Sequence, residues 1–204
     1  MIRTVISDMG NVILPFDVSV FLERIAKYSS LEKEEIMSMP VLYDGLIESF
    51  GKGRISPNKY YKGMKEIFKV DLKFKDFLDI YCDIFSLDSS VLETLAKIKG
   101  KCKLILLSNT DTLHFNYIKK RFPEIFLFDE YILSYKVGSV KPEEKIFKIA
   151  IEKSETEPQN ILFIDDMEEN IRAAAKTGMK IVHFNSKTNL KAELEKFEIF
   201  SQPG

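Results

Sequence analysis

The chain has 204 residues, 45% of them hydrophobic, and its 30 basic side chains stand against 31 acidic ones for a net charge of −1. This length suits one domain, or one domain carrying a small insert, and the balanced charge offers no footprint for nucleic acid or an anionic membrane surface. No apolar run approaches the roughly 20 residues of a membrane span, no signal-like segment is present, and Cys82 and Cys102 lie far apart without metal-ligand spacing. The chain is therefore expected to be soluble, reduced and cytoplasmic.

The first element is a strand over Ile2–Ser7 that stops on Asp8, with Gly10 two residues on. A strand ending on an acid sets a carboxylate at the C-terminal edge of a sheet, where open α/β folds take their ligands. Helical patterns follow over Val18–Tyr28, Leu31–Met39, Leu42–Phe50, Pro57–Phe68, Phe74–Phe85 and Ser90–Ile98, broken at Gly51-Lys52-Gly53 and Ser56-Pro57. Further strands are expected at Lys103–Ser108, Glu130–Ser134, Ile161–Ile164 and Lys180–Phe184. Between them lie helices over Leu113–Phe122, Glu143–Glu152, with Pro142 in a favoured first-turn position, and Asn170–Lys176, with Gly178 as its C-terminal cap.

Four of the five strands are continuous apolar runs, which suits a parallel sheet buried on both faces. The alternation predicts a doubly wound α/β core around a five-stranded parallel sheet. Between the first two strands the chain is far longer than one crossover helix requires. Residues 1–15 and 87–204 are therefore expected to form the core, and residues 16–86 a helical insert placed as a cap over the C-terminal edge of the sheet. The basic run Lys119-Lys120-Arg121 and the acidic run Glu32-Lys33-Glu34-Glu35 read as solvated helix faces.

Four loops carry polar groups of one chemical logic to that edge. Asp8 ends the first strand, Ser108-Asn109-Thr110 ends the second, Lys141-Pro142 follows the third, and Asp165-Asp166 ends the fourth, with Asn170 beyond it. Three converging carboxylates repel unless a cation joins them, and hard oxygen donors in an open site favour Mg²⁺. A lysine, a hydroxyl and backbone amides at a helix start supply donors for a phosphate. A carboxylate beside a cation and a lysine meets the requirement for phosphoryl transfer through an aspartyl-phosphate.

In this ordered set the chain resembles the haloacid dehalogenase-like hydrolase superfamily, in the branch with a helical cap after the first motif. Ile6-Ser7-Asp8-Met9-Gly10-Asn11-Val12 resembles the first motif and Leu106-Leu107-Ser108-Asn109-Thr110 the second. Gly138-Ser139-Val140-Lys141-Pro142 through Ile146-Phe147 resembles the third, and Ile164-Asp165-Asp166-Met167-Glu168-Glu169-Asn170 through Gly178 the fourth. The resemblance implies a Mg²⁺-dependent phosphatase with Asp8 as nucleophile and Lys141 bridging it to the phosphate. It implies Asp166 as a direct metal ligand, Asp165 as a second or outer one, and the Gly10 carbonyl completing the protein ligands. Ser108 and the Asn109 backbone amide would hold phosphate oxygens, and Asn170 would orient the acidic loop. The implied partner is a small phosphorylated metabolite, with neither nucleic acid nor membrane, and the chain is expected as a monomer or weak homodimer.

Most phosphatases of that superfamily carry a second aspartate two residues after the nucleophile, where this chain has Gly10. A glycine lends a carbonyl but moves no proton, and proton transfer by a placed side chain is typically worth about 10²–10⁴ in rate. Three readings stay open. The enzyme is a phosphatase whose leaving group needs little protonation, such as an anomeric sugar hydroxyl, or whose acid comes from elsewhere; or it is a metal-independent 2-haloacid dehalogenase, for which the Asp165-Asp166 pair has no use; or it is a non-catalytic phospho-ligand-binding or regulatory protein. The Gly-Asn-Val variant resembles a sub-branch that includes sugar-1-phosphate phosphatases and phosphatase-like domains.

Asp17 is a candidate substitute acid against the plainer reading of a helix cap. His114 reads as a helix-surface residue that could face the site, and His183 as packing within the last strand. Tyr60, Tyr61, Phe74, Phe77 and Tyr81 read as the insert's own core, with Arg54 in a break between its helices.

Overall fold

The computed structural model describes residues 1–39 and 45–201. Strands β1 (Thr4–Ser7), β2 (Lys103–Ser108), β3 (Glu130–Leu133), β4 (Ile161–Asp165) and β5 (Lys180–His183) form one sheet in the order β3-β2-β1-β4-β5, with every neighbouring pair parallel. Side chains alternate across the pleat. Val5, Leu104, Leu106, Leu162 and Ile164 face one side, and Ile6, Ile105, Leu107, Ile161 and Phe163 face the other. Both faces are covered by helices, so these strands read as unbroken apolar runs. β1 lies at the centre, and Asp8 follows its last residue.

The chain then enters the helical insert, with α1 (Val18–Ala26), α2 (Lys33–Ser38), α3 (Gly45–Gly51), α4 (Pro57–Phe68) and α5 (Phe74–Cys82). Residues 42–44 of the expected helix over Leu42–Phe50 lie outside the described residues. α4 forms where its sequence signals place it: Ser56 accepts from the Lys59 amide at 3.3 Å, and Pro57 occupies the first turn. These helices pack their apolar stripes on one another rather than on the sheet, burying Phe21, Ile25, Ile36, Phe50, Tyr60, Met64, Phe68 and Phe77. Tyr60 stacks on Phe50 at 4.2 Å between ring centroids and Phe77 on Tyr81 at 5.3 Å, so the aromatic residues of the insert form its interior.

The remaining helices are α6 (Ser89–Ala96), α7 (Thr112–Arg121), α8 (Ser134–Val137), α9 (Glu144–Ser154), α10 (Glu168–Lys176) and α11 (Leu190–Glu195). α6, α7 and α11 cover one face of the sheet through Val91, Leu95, Phe115, Ile118, Leu190 and Leu194, while α9 and α10 cover the other through Ile146, Phe147, Ile171 and Ala174. Burying each such Leu, Ile or Phe contributes roughly 1.5–3 kcal/mol. Gly178, at φ +92°, follows α10 as expected.

Pro142 is not in a first helical turn. α9 starts at Glu144 after Glu143, and the Lys141–Pro142 peptide is cis; the chain turns once more between Val140 and Glu143, whose N–H donates to the Val140 carbonyl at 2.8 Å. α8 and α11 add to the elements expected from the sequence; α8, with four residues, is too short to show a period. Cys82 and Cys102 are unpaired, and burial pushes their thiols up to about 12 and about 11. No described helix is long and apolar enough to cross a membrane.

Candidate active site

Parallel strands all end at one edge, so the loops after β1, β2 and β4, together with the loop between α8 and α9, converge there. The Asp8 N–H donates to the Ile164 carbonyl at 2.8 Å, tying the end of β1 to β4. The Asp8 carboxylate is buried and takes two donors on Oδ1, the Met9 N–H and the Lys141 Nζ, each at 2.7 Å. Lys141 reaches the centre from the loop before α9, and its Nζ also lies 2.7 Å from Asp165 Oδ2. Its backbone is held by Asn109, which follows β2: the Lys141 N–H donates to Asn109 Oδ1 at 2.7 Å, and Asn109 Nδ2 donates to the Lys141 carbonyl at 2.9 Å. Ser108, the last residue of β2, is buried beside this clamp.

The two acids after β4 differ in their surroundings. Asp165 is fully buried, with Oδ2 on Lys141 and Oδ1 accepting from the Met167 N–H and Asn170 Nδ2, both at 2.9 Å. Asn170 therefore orients the acidic loop by hydrogen bonding, and its own buried Oδ1 has no partner among the described residues. Asp166 is partly exposed; its Oδ2 accepts from Asn11 Nδ2 at 3.2 Å. His183 is exposed rather than packed, and its Nε2 lies 2.9 Å from the Asp166 carbonyl, so it braces the same loop.

Asp8, Asp165 and Asp166 each bring a carboxylate oxygen within 4.8 Å of the others. Burial is the largest influence on Asp8 and raises its pKa to about 6, against the lowering effect of Lys141 and with the neighbouring Asp165 adding to the rise. Burial acts to lower the Lys141 pKa, but Asp8 and Asp165 together outweigh it and hold the ammonium above its ordinary value. One ammonium among three carboxylates leaves an excess of negative charge, and an all-oxygen donor set of this kind fits a hard divalent cation such as Mg²⁺.

Position 10 is closed by a neighbour. A β-carbon on Gly10 would lie 3.0 Å from Phe16 Cε1, and the Phe16 ring rests against Phe85 at 5.9 Å. Asp17 caps α1, its Oδ1 accepting from the Ser19 N–H at 2.8 Å. His114 does not lie on the helix surface. It stacks on Tyr81 of the insert at 4.0 Å, its Nδ1 is 2.9 Å from Asp111 Oδ2, and its Nε2 is 3.1 Å from the Tyr81 carbonyl. Nε2 thereby joins α7 to α5, while Nδ1 holds Asp111 at the start of α7, whose Oδ2 also accepts from the Tyr81 hydroxyl at 2.8 Å. Arg54 is exposed.

Sequence reasoning missed Asn11, Phe16 and the side chain of Asn109. Asn11 had a usable signal, since its φ of +53° is a conformation that asparagine tolerates better than most residues. The other two depend on which loops meet.

Residues 2–178 match the family described as haloacid dehalogenase-like hydrolase. The D-ribitol-5-phosphate phosphatase of Bacteroides thetaiotaomicron is 21% identical over 201 residues, covering 95% of this chain and 97% of that protein. Drimenol cyclase drtB of Aspergillus calidoustus is 22% identical over 222 residues and covers all of this chain, which spans 37% of that longer protein. A family enzyme from Bacteroides thetaiotaomicron, solved as a complex with magnesium and inorganic phosphate, superposes with a TM-score of 0.83 at 25% identity, covering 95% of this chain and 99% of that one.

Proposed function

The chain belongs to the haloacid dehalogenase-like hydrolase family, and from that premise we propose that it is a Mg²⁺-dependent phosphatase of a small phosphorylated metabolite, with Asp8 as the nucleophile. The observation that carries this reading is the position of Lys141 Nζ, 2.7 Å from both Asp8 Oδ1 and Asp165 Oδ2, with Asp166 alongside. The relative that acts on ribitol 5-phosphate and the family enzyme solved with magnesium and phosphate support it. A sugar or polyol phosphate is accordingly the first substrate class to try.

Asp8 and Asp166, with the Gly10 carbonyl, would hold the cation, and Asp165 serves from behind as the anchor of Lys141. Bound there, Mg²⁺ supplies charge neutralisation for the phosphate and its attacking carboxylate. The buried Asp8 oxygen attacks phosphorus, the bond to the leaving oxygen breaks, and an aspartyl-phosphate forms on Asp8. Lys141 keeps the carboxylate ionised and oriented and offers a donor to the phosphate, with Ser108 and the Asn109 amide taking its other oxygens. Water then attacks phosphorus, breaking the bond to Asp8 and restoring the carboxylate, with its proton released to solvent, from which the departing oxygen of the first step takes its own. Gly10 carries no proton to the departing oxygen, so among these substrates a sugar phosphorylated at its less basic anomeric oxygen suits the site better than a polyol phosphate, whose primary alkoxide would have to take its proton from solvent. Residues 16–86 act as the cap that covers the substrate, and the unpaired Cys82 and Cys102 suit a reducing cytoplasm.

The test is phosphate or halide release from a panel of sugar phosphates, polyol phosphates, nucleotides, acyl phosphates and 2-haloacids, with and without Mg²⁺, using Asp8→Asn as control. Release that requires both Mg²⁺ and Asp8 is expected. Halide release from 2-haloacids without metal, or tight phosphate binding with no turnover of any substrate, would overturn the proposal.

A further inference from the structure

Gly51-Lys52-Gly53, the turn that ends α3, brings the insert into contact with the loop that carries Lys141. Its Lys52 is buried, with a side chain 6% exposed, and Nζ lies 2.5 Å from Glu143 Oε1 and 2.5 Å from Glu48 Oε1. Glu48 belongs to the insert and is 57% exposed. Glu143 belongs to the core and stands two residues after Lys141. Its other oxygen, Oε2, accepts from the Ser139 hydroxyl at 2.6 Å and the Val140 N–H at 3.2 Å. One carboxylate thus ties both ends of the Ser139–Glu143 loop to a cation supplied by the insert.

The approach of the turn is closely built. Gly53 has φ +66°, and a β-carbon on it would collide with the Tyr135 carbonyl. The Gly51 carbonyl accepts from the Ser134 hydroxyl at 2.7 Å, and that hydroxyl accepts from the Thr110 N–H at 2.9 Å. The turn therefore reaches the two segments that flank the phosphate end of the site, the one after β2 and the one before α9.

We propose that Lys52 is a positioning residue for the reaction: it holds Glu143, which shapes the loop that sets Lys141 between Asp8 and Asp165. The Lys141 backbone is then fixed from two directions, by Asn109 of the core and by Lys52 of the insert through Glu143. Docking of the insert and readiness of the lysine become one event, because undocking removes the cation from Glu143 and leaves its loop with fewer restraints. The kinetic part of this proposal rests on the phosphatase reading, whereas its structural part does not.

The test compares Lys52→Met, Lys52→Arg, Glu143→Gln and Glu48→Gln. Steady-state hydrolysis of an accepted sugar phosphate is one readout, and hydrogen exchange of the peptide covering residues 138–143 is the other. Lys52→Met and Glu143→Gln are expected to lower kcat about 10- to 100-fold, the cost of a small misplacement at a reacting centre, with KM within about 2-fold. The double variant Lys52→Met/Glu143→Gln is no slower than either single one, and Lys52→Arg, which keeps the cation, recovers most of the rate. Exchange at the Val140 and Lys141 amides quickens in Lys52→Met and stays at the wild-type rate in Glu48→Gln, which also leaves kcat unchanged. Wild-type exchange in Lys52→Met, or equal losses in Glu48→Gln and Lys52→Met, would overturn the proposal. If the wild type releases no phosphate at all, the phosphatase reading fails while the exchange comparison still decides the role of Lys52.

Discussion

The edge of the Phe16 ring stands 3.0 Å from the point that a β-carbon on Gly10 would occupy. Phe16 is 38% exposed and held on one side by Phe85, so it has room to yield. Gly10→Ala is expected to displace the ring and cost about 1 kcal/mol, and the cost should shrink when Phe16 is also replaced by alanine. Gly10→Asp must displace the same ring before its carboxyl can enter the site, so any gain in turnover should be larger when Phe16 is also replaced by alanine. Urea unfolding of the two single variants and the double variant checks the coupling, and additive losses would show that Phe16 does not close position 10.

Asp165 and Asp166 are adjacent in sequence and opposite in expected behaviour. Asp165 has both oxygens committed to buried donors, so Asp165→Asn places an amide against Lys141 or against the Met167 and Asn170 donors. A loss of about 3 kcal/mol or more in unfolding free energy is expected. Asp166 is partly exposed and makes one long side-chain contact with Asn11, so Asp166→Asn should cost under about 1 kcal/mol. What it should lose is the response to Mg²⁺. A cation at 100 times its Kd stabilises the wild type by about 2.7 kcal/mol, and melting curves with and without Mg²⁺ should show that gain in wild type and not in Asp166→Asn.

The sheet was legible because β1, β2 and β4 are buried on both faces; Lys103–Ser108 forms over the residues its apolar run predicts. Asp8, Lys141 and the acidic pair were legible for a related reason, since the ends of parallel strands meet at one edge whatever the details of packing. The grip of Asn109 on Lys141 and of Lys52 on Glu143 had no sequence signal. Each joins loops 32 or more residues apart, and neither loop has a period that announces its partner. His114 was misplaced because helical spacing shows that a face is apolar but not that a ring from the insert lies across it.

Lys141 is the cation that makes two buried carboxylates tolerable. Lys141→Met leaves Asp8 and Asp165 facing each other without it, and breaking a buried pair from one side typically costs about 3–5 kcal/mol. The deficit should narrow on acidification, because protonating Asp8, whose pKa burial raises to about 6, removes the repulsion, and it should also narrow on adding Mg²⁺. Unfolding curves at pH 5 and pH 8, each with and without the cation, test this. A deficit that ignores both pH and Mg²⁺ would locate the damage in lost packing rather than in charge.

His114 gives the join between insert and core a pH dependence of definite sign. Burial acts to lower its pKa, but Asp111 and the Tyr81 carbonyl outweigh burial and raise it above the ordinary 6.5. A histidine whose folded pKa is raised contributes stability that is complete below the unfolded value and is lost as pH climbs through the folded one. Asp111, whose pKa is lowered, acts only below the ordinary carboxylate range and does not interfere. Wild type should therefore exceed His114→Asn in unfolding free energy by more at pH 6 than at pH 9, each unit of raised pKa being worth about 1.4 kcal/mol. Because the imidazole lies flat on Tyr81 of α5 at 4.0 Å, the loss at high pH should also appear as faster proteolysis in the insert than in the sheet. A gap between the two proteins that does not change with pH would mean that His114 joins α5 to α7 by stacking alone.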